Sequence, residues 1–334
     1  MPDANTPLPL PWQMEDWSLI QRTRSEDRLP HALLLTGREG MGKRHFADAL
    51  AASLLCSSPE IDGLPCGKCR GCVLFKAGTH PDLKYIEPDE PGKVIRIDTI
   101  RDFTASESLT AQAGGYKVVI LEPADAMNRS AANSLLKTLE EPVAWTFMVL
   151  ISSQPGKLPA TIRSRCQQLQ MRLPDPAVAQ QWLAAESNGM DTALLLSLAL
   201  GAPLKARALA DSGLLGMRVK LLGEFADIIE SKADPVAIAA GWSKLDPALV
   251  LGWYNGWLTD CLRLKTDPEY SDLINPDQRK QLQGIGKSIE FKRLFGYIDD
   301  AHRAILAQGS QLNHQMLLES LLLPLAGRGS DNSG

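Results

Sequence analysis

Two clusters of residues in this chain have types and spacings that could do chemistry. The first is Gly37, Gly42 and Lys43: a glycine, four residues, a glycine and a lysine. That is the spacing of a phosphate-binding loop. In such loops backbone N–H groups and the lysine hold phosphate oxygens, and a following Ser or Thr ligates Mg²⁺. Here Arg44 follows instead. Arginine has five donors and no acceptor, so it cannot ligate a cation and repels one. The second cluster is Cys56, Cys66, Cys69 and Cys72, interleaved with Pro and Gly residues that let the backbone turn tightly. Overlapping C-x-x-C units and a fourth nearby cysteine supply four thiolates. A closed tetrahedral zinc site takes that number and leaves no open position for catalysis. A thioredoxin-like redox site would need one C-x-x-C after a strand. The pattern therefore predicts structural zinc, and Cys166 and Cys261 read as ordinary buried thiols.

Hydrolysis at a phosphate loop also needs acids at the end of a later strand, to hold Mg²⁺ and polarise water. Glu122 sits where the magnesium-side acid is expected, but the next residue is Pro123, which has no proton acceptor. Asp125 has two readings, a substitute for that carboxylate or, more in keeping with its position, a helix cap before a helix over Met127 to Leu139. The hydroxyl missing at Arg44 and the carboxylate missing at Pro123 independently argue against hydrolysis by this chain and make ATP a doubtful cofactor for it, while the retained Lys43 leaves weak phosphate or nucleotide binding open. Arg165, in Arg163-Ser164-Arg165-Cys166, has two readings. It is a surface ion pair, the commoner fate of an arginine, or a finger offered in trans to phosphates on a neighbour. Spacing alone does not choose.

These residues need a scaffold. Apolar runs at Ala32 to Thr36, Tyr116 to Leu121 and Thr146 to Ile151 predict buried strands, with further strands at Asp82 to Ile86 and Gln168 to Met171. Helices are expected over Arg44 to Leu55, Ile95 to Ser108 and Ala131 to Leu139. Alternation of this kind predicts a mostly parallel α/β sheet with right-handed crossovers. Residues 1–30 form an entry segment, with Trp12 and Trp17 expected to pack onto the α/β domain. Near Pro174-Asp175-Pro176 the strand signals stop. Asp175 and Pro176 predict the cap and first position of a helix, and two or three short helices are expected up to about residue 209. Longer helices carry apolar stripes: Val219, Leu222, Phe225, Ile228 and Ile229; Leu294, Tyr297, Ile298, Ala301 and Ile305; Leu317, Leu318, Leu321 and Leu322. These read mainly as core. The expected division is 1–173, an α/β domain carrying the cysteine module at about 56–72; 174–209 and 210–328, both all-helical; and a disordered tail at 329–334.

At 334 residues, two or three domains are expected. Apolar content of 44% and charged content of 22% are ordinary for a soluble protein. A net charge of −4 argues against a general nucleic-acid coat. No signal peptide is visible and no apolar stretch approaches the ~18 to 20 residues that span a bilayer. A cytoplasmic chain without a membrane partner is expected.

Taken together, His31 to Gly37, Cys66-Gly67-Lys68-Cys69-Arg70-Gly71-Cys72, Ala77-Gly78-Thr79-His80-Pro81-Asp82, Ala132 to Pro142 and Arg163-Ser164-Arg165-Cys166 make residues 20–172 resemble the clamp-loader branch of the AAA+ proteins of bacterial DNA polymerase III. The helical remainder is similar to that branch in layout, as its lid and collar, with some support from Asn313 to Leu322. The resemblance implies a loader subunit with no catalytic activity of its own, acting in DNA replication within a DNA-directed DNA polymerase (nucleotidyltransferase) holoenzyme. Its implied partners are gamma/tau and delta subunits, with the sliding clamp and primed DNA reached through the complex. It further implies that Arg165 is the finger, positioned by Ser164 and Cys166, and that Cys56, Cys66, Cys69 and Cys72 form the family's zinc module. Leu204 stands where hydrolysing relatives carry a nucleotide-sensing arginine. The competing readings are an ATP-hydrolysing gamma/tau-type subunit and a zinc-dependent DNA-binding protein. The missing groups count against the first, the acidic balance against the second.

Overall fold

Strands buried on both faces of a parallel sheet need apolar residues at every position, without alternation. The runs at 32–36, 117–121 and 146–152 meet that requirement, and they are the inner strands of the sheet. A computed structural model describes residues 7–90, 92–106, 115–187, 189–307 and 313–326. The chain divides into two units, Met1–Trp182 and Leu183–Gly334.

In the first unit the order is α1 (Met14–Ser25), β1 (Ala32–Thr36), α2 (Lys43–Leu54), α3 (Arg70–Lys76), β2 (Leu83–Ile86), α4 (Ile97–Ser106), β3 (Lys117–Leu121), α5 (Arg129–Glu140), β4 (Thr146–Ser152), α6 (Ala160–Arg163), β5 (Gln167–Gln170) and the start of α7 (Pro176–Glu186). The five strands are parallel and lie in the order β2-β3-β4-β1-β5. β5 is an edge strand of mostly exposed glutamines, which is why its signal in the sequence is weak. Ligands of open parallel sheets sit beyond the carboxyl ends of the strands, where the strand order switches. β1 lies at such a switch between β4 and β5, and its carboxyl end runs into Gly37. The expected strands match to within a residue at each end. The far end of the helix expected over Ile95 to Ser108 lies outside the described residues, as does the tail at 329–334.

The core of this unit gathers Leu34, Val119, Leu121, Met148 and Leu150 from the sheet with Phe103, Leu135 and Ile162 from the helices. Trp17 is buried edge-on against Phe46, and its Nε1 donates to the Asp62 carbonyl at 3.0 Å. Trp12 packs edge-on to Trp182. Trp17 packs onto the α/β domain as expected, whereas the ring of Trp12 meets α7 and only its Nε1 bonds into that domain, at the Met41 carbonyl. Asp175 caps α7 through Oδ1, which accepts from Ala177 N at 2.8 Å.

The second unit is helical: α8 (Thr192–Leu198), α9 (Pro203–Ser212), α10 (Leu215–Ile229), α11 (Pro235–Trp242), α12 (Pro247–Thr266), α13 (Arg279–Ser288), α14 (Phe291–Leu306) and α15 (His314–Leu322). Its core is built around α12, where Tyr254 and Trp257 meet Phe225 and Trp242. The predicted stripes are core with one exception. Val219 is 51% exposed. The buried arc of α10 runs through Arg218, Leu221, Leu222, Phe225, Ile228 and Ile229, and Val219 lies about 60° past Leu222, the edge of that arc. Arg218 is fully buried because its guanidinium donates to Asn275 Oδ1 (2.8 Å), Gln278 Oε1 (2.6 Å) and the Asp277 carboxylate.

Candidate functional site

The carboxyl end of β1 turns at Gly37, whose φ is +138° and whose missing Cβ would stand 2.6 Å from the Met171 carbonyl oxygen. Only glycine fits there. The loop ends at Gly42, in the left-handed region, and α2 starts at once. Lys43 is buried, and its Nζ donates to the Gly37 carbonyl (2.8 Å), the Arg38 carbonyl (2.9 Å) and Ser153 Oγ (2.9 Å). Burial pushes this ammonium's pKa down, against the charges of Glu39, Glu122 and Asp125. The entry segment also lies against the loop. Trp12 Nε1 and Gln13 Nε2 donate to the Met41 carbonyl, and Gln13 Nε2 donates to the Gly42 carbonyl. The expected lysine is thus present, but its three donors are spent on the loop itself and on the end of β4.

Arg44 fills the neighbouring space. Its Nε donates to Asp48 Oδ1 at 3.1 Å, and its Nη1 donates to Glu87 Oε1 at 2.5 Å and Glu122 Oε2 at 2.9 Å. The guanidinium carbon lies 4.4 Å from the centre of the Tyr85 ring, whose hydroxyl donates to Asp48 Oδ1 at 3.1 Å. Burial alone would lower the guanidinium pKa, but the bonds to Glu87 and Glu122 and the Asp48 charge outweigh it and raise the value. Asp48 is pushed up by burial, which exceeds the pull of Arg44. Sequence reasoning places Glu122 at this site but misses Glu87, Asp48 and Tyr85. A signal for Glu87 exists. It follows β2 as Glu122 follows β3, and Ile86 pairs with Leu121, so the two carboxylates emerge side by side.

Asp125 is not a helix cap. It lies in a short 3-10 turn, Ala124–Ala126, and its Oδ1 accepts from Ser152 Oγ and from Ser153 N, the latter at 3.2 Å. Met127 and Asn128 are extended, α5 begins at Arg129, and Asn128 Oδ1 caps it by accepting from Ala131 N at 2.8 Å.

The four cysteines come together, their sulfur atoms all within 4.8 Å of one another. A tetrahedral zinc with ~2.3 Å bonds separates its sulfurs by about 3.8 Å, and Cys56 Sγ lies 3.8 Å from Cys69 Sγ. Backbone N–H groups of Cys66 and Cys72 point at the Cys56 and Cys69 sulfurs, each at 3.4 Å, which favours thiolates. Without a cation these thiols do not titrate alike: burial pushes Cys56, Cys69 and Cys72 up, but at Cys69 hydrogen bonds from Ser57 and Cys72 outweigh it and pull the thiol down to about 6. This donor set fits zinc. Gly71 lies so close to the Leu55 carbonyl that a Cβ would stand 2.1 Å from its oxygen, and the module therefore packs tightly on the end of α2. Cys166 and Cys261 stand apart as buried thiols, raised to about 11 and about 12, with burial the main cause.

Arg165 follows α6 and precedes β5. Its Nη1 donates to the Thr161 carbonyl at 3.0 Å, and its Nη2 lies 2.5 Å from Glu140 Oε1 at the end of α5. Both side chains are partly exposed. Ser164 Oγ donates to the same Thr161 carbonyl at 3.2 Å, and Cys166 is anchored in the sheet core. Thr36 pairs with Gln170 beside the phosphate loop, whereas Arg165 precedes the opposite, amino end of that strand. At ~3.3 Å per residue the two are roughly 15–20 Å apart, beyond the reach of one side chain. Glu140 lies in the Ala132 to Pro142 motif, where nothing in the spacing marks it as the partner of Arg165. Leu204 lies in the first turn of α9 in the second unit.

Comparison with known proteins adds to this geometry. The family described as "DNA polymerase III, delta subunit" matches residues 12–175, and "DNA polymerase III, delta subunit, C terminal" matches residues 213–326. DNA polymerase III subunit delta' of Pseudomonas aeruginosa is 38% identical over 95% of this chain and 97% of its own length. The Escherichia coli protein of the same name is 32% identical over 94% of both chains. DNA polymerase III subunit tau/gamma of Haemophilus influenzae is 33% identical over 48% of this chain and 22% of its own length.

Proposed function

The chain belongs to the DNA polymerase III delta' family, clamp-loader subunits of DNA replication, and from that premise we propose that it hydrolyses no ATP itself and lends Arg165 to the nucleotide site of a neighbouring subunit. The observation that carries this is the opposition of the two edges of one sheet. At the carboxyl edge Lys43 and Arg44 are already bonded to protein oxygens. At the amino edge Arg165, between α6 and β5, is also bonded, to the Thr161 carbonyl and Glu140, but its side chain and that of Glu140 are partly exposed, so that pair can open to a neighbour. A guanidinium that cannot reach its own loop is suited to act in trans, where it stabilises charge on phosphates as they separate.

In this reading residues 1–173 form the AAA+-type domain, 174–209 the lid and 210–328 the collar that joins gamma/tau and delta subunits. The sliding clamp and primed DNA are met through that assembly, in the cytoplasm. Cys56, Cys66, Cys69 and Cys72 hold a structural zinc, which supplies four bonds between the end of α2 and the start of α3. Ser164 and Cys166 fix the turn that carries Arg165.

Reconstituting the loader with Arg165→Ala tests the reading. With assembly intact, hydrolysis at the site Arg165 serves is expected to fall about 10³-fold or more, and clamp loading is expected to fall with it. Undiminished ATPase and loading by an assembled complex overturns it.

A further inference from the structure

We propose that the Arg44 guanidinium is a built-in substitute for the divalent cation of a phosphate site: it neutralises the acids that would hold the metal and thereby shuts the loop to magnesium and nucleotide. The inference deepens the reading of a non-hydrolysing subunit and rests on it.

One nitrogen, Arg44 Nη1, donates to both Glu87 (2.5 Å) and Glu122 (2.9 Å). Their carboxylates therefore converge on a single point beside the residue after the loop lysine. Mg²⁺ in phosphate sites is held by one or two carboxylates, a hydroxyl and waters, and that point has two carboxylates of the right kind. In this chain the cation there is covalently attached. It is further held by Asp48 from one turn along α2 and by the face of Tyr85 from β2. An arriving triphosphate would find Lys43 engaged on loop carbonyls, Arg44 engaged on acids, and three carboxylates around it. It would have to break charge-assisted bonds at both cations before gaining any of its own. Taking the guanidinium away reverses the balance. Glu87 and Glu122 are left facing each other with only the buried Lys43 ammonium near Glu122 to offset them, and a divalent ion becomes their natural partner.

The test is Arg44→Ser in the full, zinc-loaded chain, followed by Mn²⁺ titration monitored by electron paramagnetic resonance and by thermal melts with and without Mg²⁺. The variant is expected to melt about 5 °C or more below the parent, to bind one Mn²⁺ with a dissociation constant below about 1 mM, and to recover stability with Mg²⁺. The double variant Arg44→Ser, Glu122→Gln is expected to lose that Mn²⁺ binding. The parent chain is expected to show neither response. Arg44→Lys retains a cation at the site and is expected to fold and to remain insensitive to Mg²⁺, which covers the case in which the serine variant does not fold. A serine variant that folds but gains no divalent binding overturns the proposal, as does a lysine variant that binds Mn²⁺. ATP hydrolysis by the parent chain would instead overturn the functional reading beneath it, so the two failures are distinguishable.

Discussion

Replacing Cys69 by serine separates the metal-binding role of the cysteine module from its purely local role. Cys69 Sγ caps α3 by accepting from Cys72 N, and serine is itself a good helix cap. Cys69→Ser therefore preserves the cap and removes one thiolate. Structural zinc in small modules contributes ~10–16 kcal/mol of apparent binding energy through four ligands, so one ligand accounts for roughly 3 kcal/mol. At about 1.4 kcal/mol per decade that is a loss of about 100-fold in zinc affinity. The assay is competition for zinc against a chromophoric chelator, with limited proteolysis of the loop between Cys56 and Cys66 as a second readout. Affinity is expected to drop by about two decades and the loop to become the first cleavage site. Full zinc occupancy in Cys69→Ser, with affinity within about threefold of the parent, would refute the assignment of that sulfur as a ligand.

The phosphate loop and the lone thiols can be tested in the same way. Gly37→Ala forces a Cβ to within 2.6 Å of the Met171 carbonyl oxygen at a φ of +138°; it should lower stability by about 2–4 kcal/mol in urea unfolding, and an unchanged midpoint would contradict the close approach of β1 and β5. Cys166, held by burial near a pKa of about 11, should be only ~10⁻³ thiolate at pH 8. Iodoacetamide should leave it unlabelled in the native chain at pH 8 and label it once urea is added, so native labelling at the denatured rate rules out the buried thiol.

Much of the scaffold is legible in the sequence because inner parallel strands leave an unmistakable pattern. Val118 to Leu121 and Phe147 to Ile151 are short, β-branched-containing apolar runs of the kind that strands buried on both faces require. The phosphate loop, Glu122 and the four cysteines are legible because their chemistry fixes their spacing. Other features depend on tertiary neighbours. Asp125 has the composition of a cap, yet its carboxylate is taken by Ser152 and Ser153 across the sheet. Asn128 caps α5 instead, three residues on. Val219 fits an apolar period but falls outside the arc that α10 buries. Glu87 and Asp48 look like ordinary surface acids until strand register and helix phase bring them onto Arg44. The pairing of Glu140 with Arg165 joins residues twenty-five positions apart and leaves no periodic trace.

One helix links the two chemical clusters, and its mechanics come from how it is held. α2 has twelve residues and is about 18 Å long. Arg44 in its first turn is bonded to the residues that end β2 and β3. Its far end runs into Cys56 and is backed by Gly71 against the Leu55 carbonyl. A rod held at both ends is braced against tilting. It is a strut by position, tying the backbone beside the cysteine module to the carboxyl ends of β2 and β3 through one continuous helix.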